Sequence, residues 1–190
     1  MPARKSLSKA DWAAAGLEAL LRGGPDAVAV EPVAVALGAT KGSAYWHFSN
    51  RADFLAAVLD RWTQVGTLDI IDRVEGAGGT PQEKLAHLLG IVSRGAERSP
   101  TEMLLVASSD PLVRDAVRHV TELRVAYVEQ LVRASGVPPK EARTRAALAY
   151  AAYLGHATLT SAVPGLVPDR PADRRRIQRA LLGLALGATP

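Results

Sequence analysis

Apolar residues recur along this chain every three to four positions, the period of a helix with one buried face. Trp12, Gly16, Leu17, Leu20 and Leu21 mark the first such face. Phe54, Leu55, Val58, Leu59, Trp62 and Val65 mark a longer one. Ala, Leu, Arg and Glu, all good helix formers, are plentiful, and alternating β-branched runs are nearly absent. The strand-like stretch Ala27-Val28-Ala29-Val30 is short and is followed at once by Glu31-Pro32.

Capping residues predict the breaks. Ser8-Lys9-Ala10-Asp11 reads as a capping box that opens a helix, closed by Arg22-Gly23-Gly24. A short helix fits Val30 to Leu37, with Pro32 in a first turn that needs no N–H from it, and Gly38 ends it. Thr40 caps a second short helix reaching about Phe48, and Asn50-Arg51-Ala52-Asp53 caps a long one that runs toward the Gly76–Gly79 break. Thr80-Pro81-Gln82-Glu83 and Ser99-Pro100-Thr101-Glu102 are two further boxes with Pro at the first helical position. Asp110-Pro111 opens a helix ending near Ser135-Gly136. Others fit Lys140 to Val163 and Pro171 to Leu186. The expectation is an all-α chain of about nine helices, without repeats or low-complexity linkers.

The segment from Ala146 to Val163 carries no formal charge over 18 residues, a length that invites comparison with a membrane span. Its Ala-rich composition, with Gly155, His156, Thr158, Thr160 and Ser161, inserts poorly, so a helix buried on several sides is the expectation. Ala147, Ala151, Leu154, Gly155, Thr158 and Ala162 follow helical spacing, and small residues there permit close helix approach. Ile177, Ala180, Leu181 and Leu184 keep the same spacing on the last helix. Two such helices per subunit suit a two-fold helical bundle, so these residues are the candidate dimer interface.

The formal charge is +4, from 23 basic and 19 acidic residues, which invites a nucleic-acid reading. Residues 1–60 are nonetheless balanced: Arg4, Lys5, Lys9, Arg22, Lys41 and Arg51 against Asp11, Glu18, Asp26, Glu31, Asp53 and Asp60. The excess lies further on, partly in Arg170, Arg174, Arg175, Arg176 and Arg179, which with Asp169 and Asp173 read as a solvated, partly salt-bridged face. Cysteine is absent, which excludes disulfides and thiolate sites and fits a reducing compartment. The N-terminal residues have no apolar stretch of the secretory type. His47, His87, His119 and His156 show no ligand spacing, and catalytic and phosphate-loop motifs are missing, so neither a metal nor a cofactor nor an enzyme is expected.

Chemistry concentrates in a helix, a Gly-centred turn and a second short helix, the helix-turn-helix pattern. Val33, Ala34 and Leu37 have the spacing to pack against Ala44 and Phe48. The second helix makes better sense presented to a groove than as core. Lys41 supplies charge, Gly42 close backbone approach, Ser43 a hydroxyl, and Tyr45 and His47 donors to phosphate; its N-terminal N–H groups favour an anion. Tyr45 is alternatively a core ring, and His47 a surface residue. Arg4, Lys5 and Lys9 form either a minor-groove arm or a solvated terminus.

The run Gly38-Ala39-Thr40-Lys41-Gly42-Ser43-Ala44-Tyr45-Trp46-His47-Phe48, followed by Asn50-Arg51-Ala52-Asp53-Phe54-Leu55, resembles the TetR family of bacterial transcriptional regulators. The resemblance spans Trp12 to Trp62, about a quarter of the chain. It implies a cytoplasmic bacterial homodimer, most often a repressor, that binds a palindromic double-stranded operator. Residues 1–50 would form the DNA-binding domain, linked by the helix starting near 51. Residues 51–190 would form the helical ligand-binding and dimerisation domain. By position Thr40, Lys41, Ser43, Tyr45 and His47 fall where the family contacts DNA, Arg51 on a usual phosphate contact, and Trp46 on a variable slot suited to a base or sugar. Three residues depart from the pattern: Ala29 replaces a capping Thr, Glu31 stands where Arg is frequent, and Ala44 replaces Leu. These imply modest or sequence-selective binding. Trp62, His87, Met103, Leu104, Tyr127, Tyr153 and His156 are candidate pocket residues for a neutral or hydrophobic small-molecule effector, each alternatively core. The alternative function is a helical small-molecule-binding protein with weak or lost DNA binding.

Overall fold

The computed structural model describes residues 7–95, 109–163, 165–167 and 170–187. The basic residues Arg4 and Lys5, the helix start at Ser99–Glu102, Met103, Leu104 and Asp169 lie outside them. Among the described residues all regular structure is helical. It comprises α1 (Lys9–Gly23), α2 (Val30–Ala36), α3 (Lys41–Tyr45), α4 (Arg51–Thr63), α5 (Asp69–Ala77), α6 (Pro81–Gly95), α7 (Pro111–Ala134), α8 (Pro139–Ala162) and α9 (Pro171–Leu186).

Local capping chemistry places the helix starts. Ser8 Oγ accepts from the Asp11 N–H at 3.2 Å while the Asp11 carboxylate accepts from the Ser8 N–H at 2.8 Å. Thr80 and Glu83 repeat this reciprocal pairing at α6, and Asn50 Oδ1 accepts from the Asp53 N–H at α4. At α2, Ala29 offers no such bond. The strand-like Ala27–Val30 stretch is instead a 3-10 turn over Pro25–Ala27 leading into α2.

The long helix expected after Asn50 is interrupted. Gln64–Leu68 form a wide π-turn between α4 and α5. Arg124 of α7 donates to the Gly66 carbonyl at 2.9 Å and to Thr67 Oγ1 at 3.0 Å, and Thr67 is buried.

The described chain divides into two compact units. One runs to Val65 and includes the stretch ending at Arg118; the other takes Gly66 onward and the stretch from His119. In the first, α1 packs on α4, and Trp12, Leu20, Phe54, Leu55, Val58 and Trp62 are fully shielded. Each large apolar side chain so buried contributes about 1.5–3 kcal/mol relative to exposure. Gly16 is what lets the two helices meet. A Cβ there would fall within the van der Waals envelope of Val58 and 2.8 Å from Phe54 Cζ.

In the second unit, α5, α6, the later part of α7, α8 and α9 contribute to a core of Val74, Leu85, Tyr127, Leu131, Val132, Ala142, Ala149 and Ala185. Arg176 pairs with Asp173 at 3.2 Å, and Arg170, Arg175 and Arg179 are exposed, a partly salt-bridged basic face. Among the described residues, no helix is long and apolar enough to cross a membrane.

Candidate nucleic-acid interface

The turn between α2 and α3 is built on Gly38, whose φ of 60° lies in the left-handed region that a side chain disfavours. The Ala39 N–H then reaches back to the Ala34 carbonyl at 2.8 Å. Val33, Ala34, Ala44 and Phe48 are buried, as their spacing predicts, and Leu37 is half-buried. The Phe48 ring packs at a tilt against Phe54, centroids 4.9 Å apart, which carries the short helix on the α1–α4 core.

Thr40 caps α3. Its Oγ1 accepts from the Ser43 N–H at 3.3 Å, and Ser43 Oγ donates to the Thr40 carbonyl at 2.7 Å. The outward side of α3 carries Lys41, Gly42, Tyr45 and Trp46, all exposed. Trp46 is 89% exposed and Tyr45 49%, so neither is core. Val35 of α2 is also bare, at 80%. A small module that leaves a Trp, a Tyr and a Val uncovered beside a cation has the composition of a contact surface.

Lys41 is not a lone cation. Its ammonium donates to Glu31 Oε1 on α2 and lies 5.9 Å from the Tyr45 ring centroid. Hydrogen bonding to Lys41 holds the Glu31 carboxyl below the usual carboxylate range, and the same bond raises Lys41 above the usual lysine value. Glu31 stands out in the sequence as a departure, but its partner lies ten positions away on another helix, beyond the reach of any local signal.

Two residues expected at the DNA face are held by the protein's own backbone. Arg51 donates from Nη2 to the Pro25 carbonyl at 2.8 Å and from Nε to the Val28 carbonyl at 3.1 Å. His47 is half-buried and donates from Nε2 to the Leu7 carbonyl at 2.8 Å. Both side chains brace the module, one at the loop before α2 and the other at the chain entering α1.

The described pocket candidates fall in both units. Trp62 is buried in the first unit, whereas His87, Tyr127, Tyr153 and His156 belong to the second. The Tyr127 hydroxyl donates to Glu75 at 2.6 Å, and Tyr153 lies 6.4 Å from Tyr150. An open groove of about 590 Å³ lies between Glu129, Gln130 and Arg133 of α7 and Val137–Pro139, and none of these candidates lines it.

Of the candidate interface residues, Ala147, Ala151, Gly155, Thr158 and Leu184 are exposed. Leu154 and Ile177 are half-buried, and Leu181 is buried in the subunit itself. Leu148 and Leu159 extend this exposed apolar surface of α8.

Residues 13–58 match the family model described as bacterial regulatory proteins, tetR family. A transcriptional regulator from Rhodococcus sp. RHA1 is similar, with a TM-score of 0.75 at 24% identity over 97% of this chain and 100% of that one. FadR from Bacillus subtilis, solved in complex with stearoyl-CoA, is similar at a TM-score of 0.67 and 17% identity over 96% and 100% of the two chains. BioQ, solved with its double-stranded DNA operator, is similar at 0.55 and 21% over 94% and 98%. No curated protein matches the chain in sequence. The N-terminal module is that of the TetR family, and the whole chain has the fold of TetR-like regulators.

Proposed function

We infer that a chain with this module and this fold is a ligand-responsive transcriptional regulator, acting as a homodimeric repressor on a palindromic operator. The observation that carries the reading is the bare outward face of α3, where Lys41, Tyr45 and Trp46 stand over a buried Ala44 and Phe48. Thr40, Gly42 and Ser43 complete the reading helix, with Arg51 and His47 bracing it. The DNA-binding domain comprises residues 1–50, joined by α4 to the effector-binding and dimerisation domain.

BioQ, a neighbour in fold, is solved with its operator, and FadR with an acyl-CoA. By analogy the present chain takes an operator and a largely apolar effector. Regulation is then a population shift. The effector favours a conformation whose two recognition helices no longer match successive major grooves, about 34–36 Å apart.

Selection of bound fragments from a random duplex pool tests this reading. Enrichment of a palindrome, lost on Tyr45→Ala without loss of fold, is the expected result. A pool without an enriched motif would favour a small-molecule-binding protein that has lost DNA recognition.

A further inference from the structure

The Glu31–Lys41 pair sits on the face proposed to read DNA, and nothing about fold stability calls for it. Both side chains are more than half exposed, and an exposed ion pair contributes little to stability. Its two helices are already joined by the Gly38 turn and the buried Val33, Ala34 and Ala44. What the pair does is place an anion beside the cation of the recognition helix.

That neighbour changes what Lys41 can bind. A phosphate approaching the Lys41 ammonium also approaches the Glu31 carboxylate, and the repulsion offsets the attraction. The pair is neutral as a unit, so binding through it releases few counterions. A partner that satisfies it must offer an acceptor to the lysine and a donor to the glutamate, side by side.

The major-groove edge of a G·C pair does so. Guanine presents O6 and N7 as acceptors, and the adjacent cytosine presents its N4 amino group as a donor. An A·T pair offers the ammonium one acceptor, N7, in place of two, and beyond its N6 donor sets thymine O4, a second acceptor that repels the carboxylate, beside a methyl group. The location agrees: the Lys41 ammonium lies 5.9 Å from the centroid of the exposed Tyr45 ring.

We propose that Glu31 and Lys41 act as one reading unit for a G·C base pair in each half-site, Lys41 donating to guanine and Glu31 accepting from cytosine N4. Glu31 is thereby a specificity-determining residue rather than a residue that merely weakens binding. The proposal rests on the DNA-binding reading above.

The test selects duplexes from a random pool with the wild-type chain. It then measures affinities at fixed salt for single-position variants of the enriched sequence, using wild type, Glu31→Ala, Glu31→Gln and Lys41→Met. Far-UV circular dichroism confirms that each variant folds. The expected result is a symmetric G·C position at which A·T weakens wild-type binding about tenfold or more, narrowing to about threefold or less in Glu31→Ala. Preferences at other positions persist. Two results would overturn the proposal while leaving the regulator reading intact. One is a Glu31→Ala chain that discriminates as wild type does at every position; the other is one that binds all sequences more tightly without change of preference. A wild-type chain that enriches no motif would remove both.

Discussion

The hydroxyl of Tyr127 lies 2.6 Å from Oε1 of Glu75, joining α7 to α5 across 52 positions of sequence. Lys84 of α6 donates to the other oxygen of the same carboxylate, so one glutamate ties three helices. Hydrogen bonding to Lys84, then to Tyr127, holds the Glu75 carboxyl below its usual value. Burial, then Glu75, pushes the Tyr127 phenol up. Because the folded Glu75 value is depressed, its contribution is present above the ordinary carboxylate range near 4.5 and is lost as pH falls through the folded value. Tyr127→Phe is expected to lower stability by about 1 kcal/mol at neutral pH and to flatten the acid limb of the stability curve. Urea titrations between pH 3 and pH 7 measure both.

Gly16→Val is expected to destabilise the N-terminal module by about 1–3 kcal/mol, since the added side chain meets Val58 and Phe54 in a closed interface. Thermal unfolding followed by far-UV circular dichroism reads the shift. An unchanged transition would mean that α1 and α4 do not meet at this contact.

Arg51→Ala leaves the Pro25 and Val28 carbonyls without their guanidinium donor, an expected cost of about 1–3 kcal/mol. Were Arg51 instead a phosphate contact, its loss would lower the salt dependence of DNA binding by about one in log–log slope. The expected result is a stability loss with the slope unchanged. Paired denaturation and salt-titrated binding separate the two roles.

The chain has three tryptophans, of which Trp12 and Trp62 are buried and Trp46 is 89% exposed. Iodide is therefore expected to quench one emitting class selectively, and Trp46→Phe to remove that class. Saturating operator DNA is expected to protect it. Quenching unaffected by bound operator would place Trp46 away from the interface.

A Cβ added at Gly155 meets no atom within 4 Å in the subunit. Gly155→Arg is thus expected to leave the fold of the single chain and its melting profile nearly intact while dissociating the proposed dimer. Light scattering at micromolar concentration reads the mass. A dimer that survives the substitution would move the interface off this part of α8.

Much of the helical outline was legible beforehand because its determinants are local. Ser8 with Asp11, Asn50 with Asp53 and Thr80 with Glu83 act over three residues, and α1, α4 and α6 begin where these signals sit. The helix α3 was legible for the same reason, from an ordered run of neighbouring residues. It ends at Tyr45, earlier than the Phe48 its apolar spacing suggested, and the π-turn at Gln64–Leu68 had no capping signal to announce it.

By itself, the sequence determined an all-helical chain, the helix-turn-helix and the buried positions that carry α3, because each follows from periodicity and short-range capping. Only the tertiary structure decided what the charged and polar side chains outside the caps do. Arg51 turned to carbonyls 23 and 26 positions away, Lys41 to Glu31, Tyr127 to Glu75. Such partners are chosen by which surfaces the packed apolar faces bring together, and that choice depends on the three-dimensional packing of separate helices rather than on the residues adjacent in the chain.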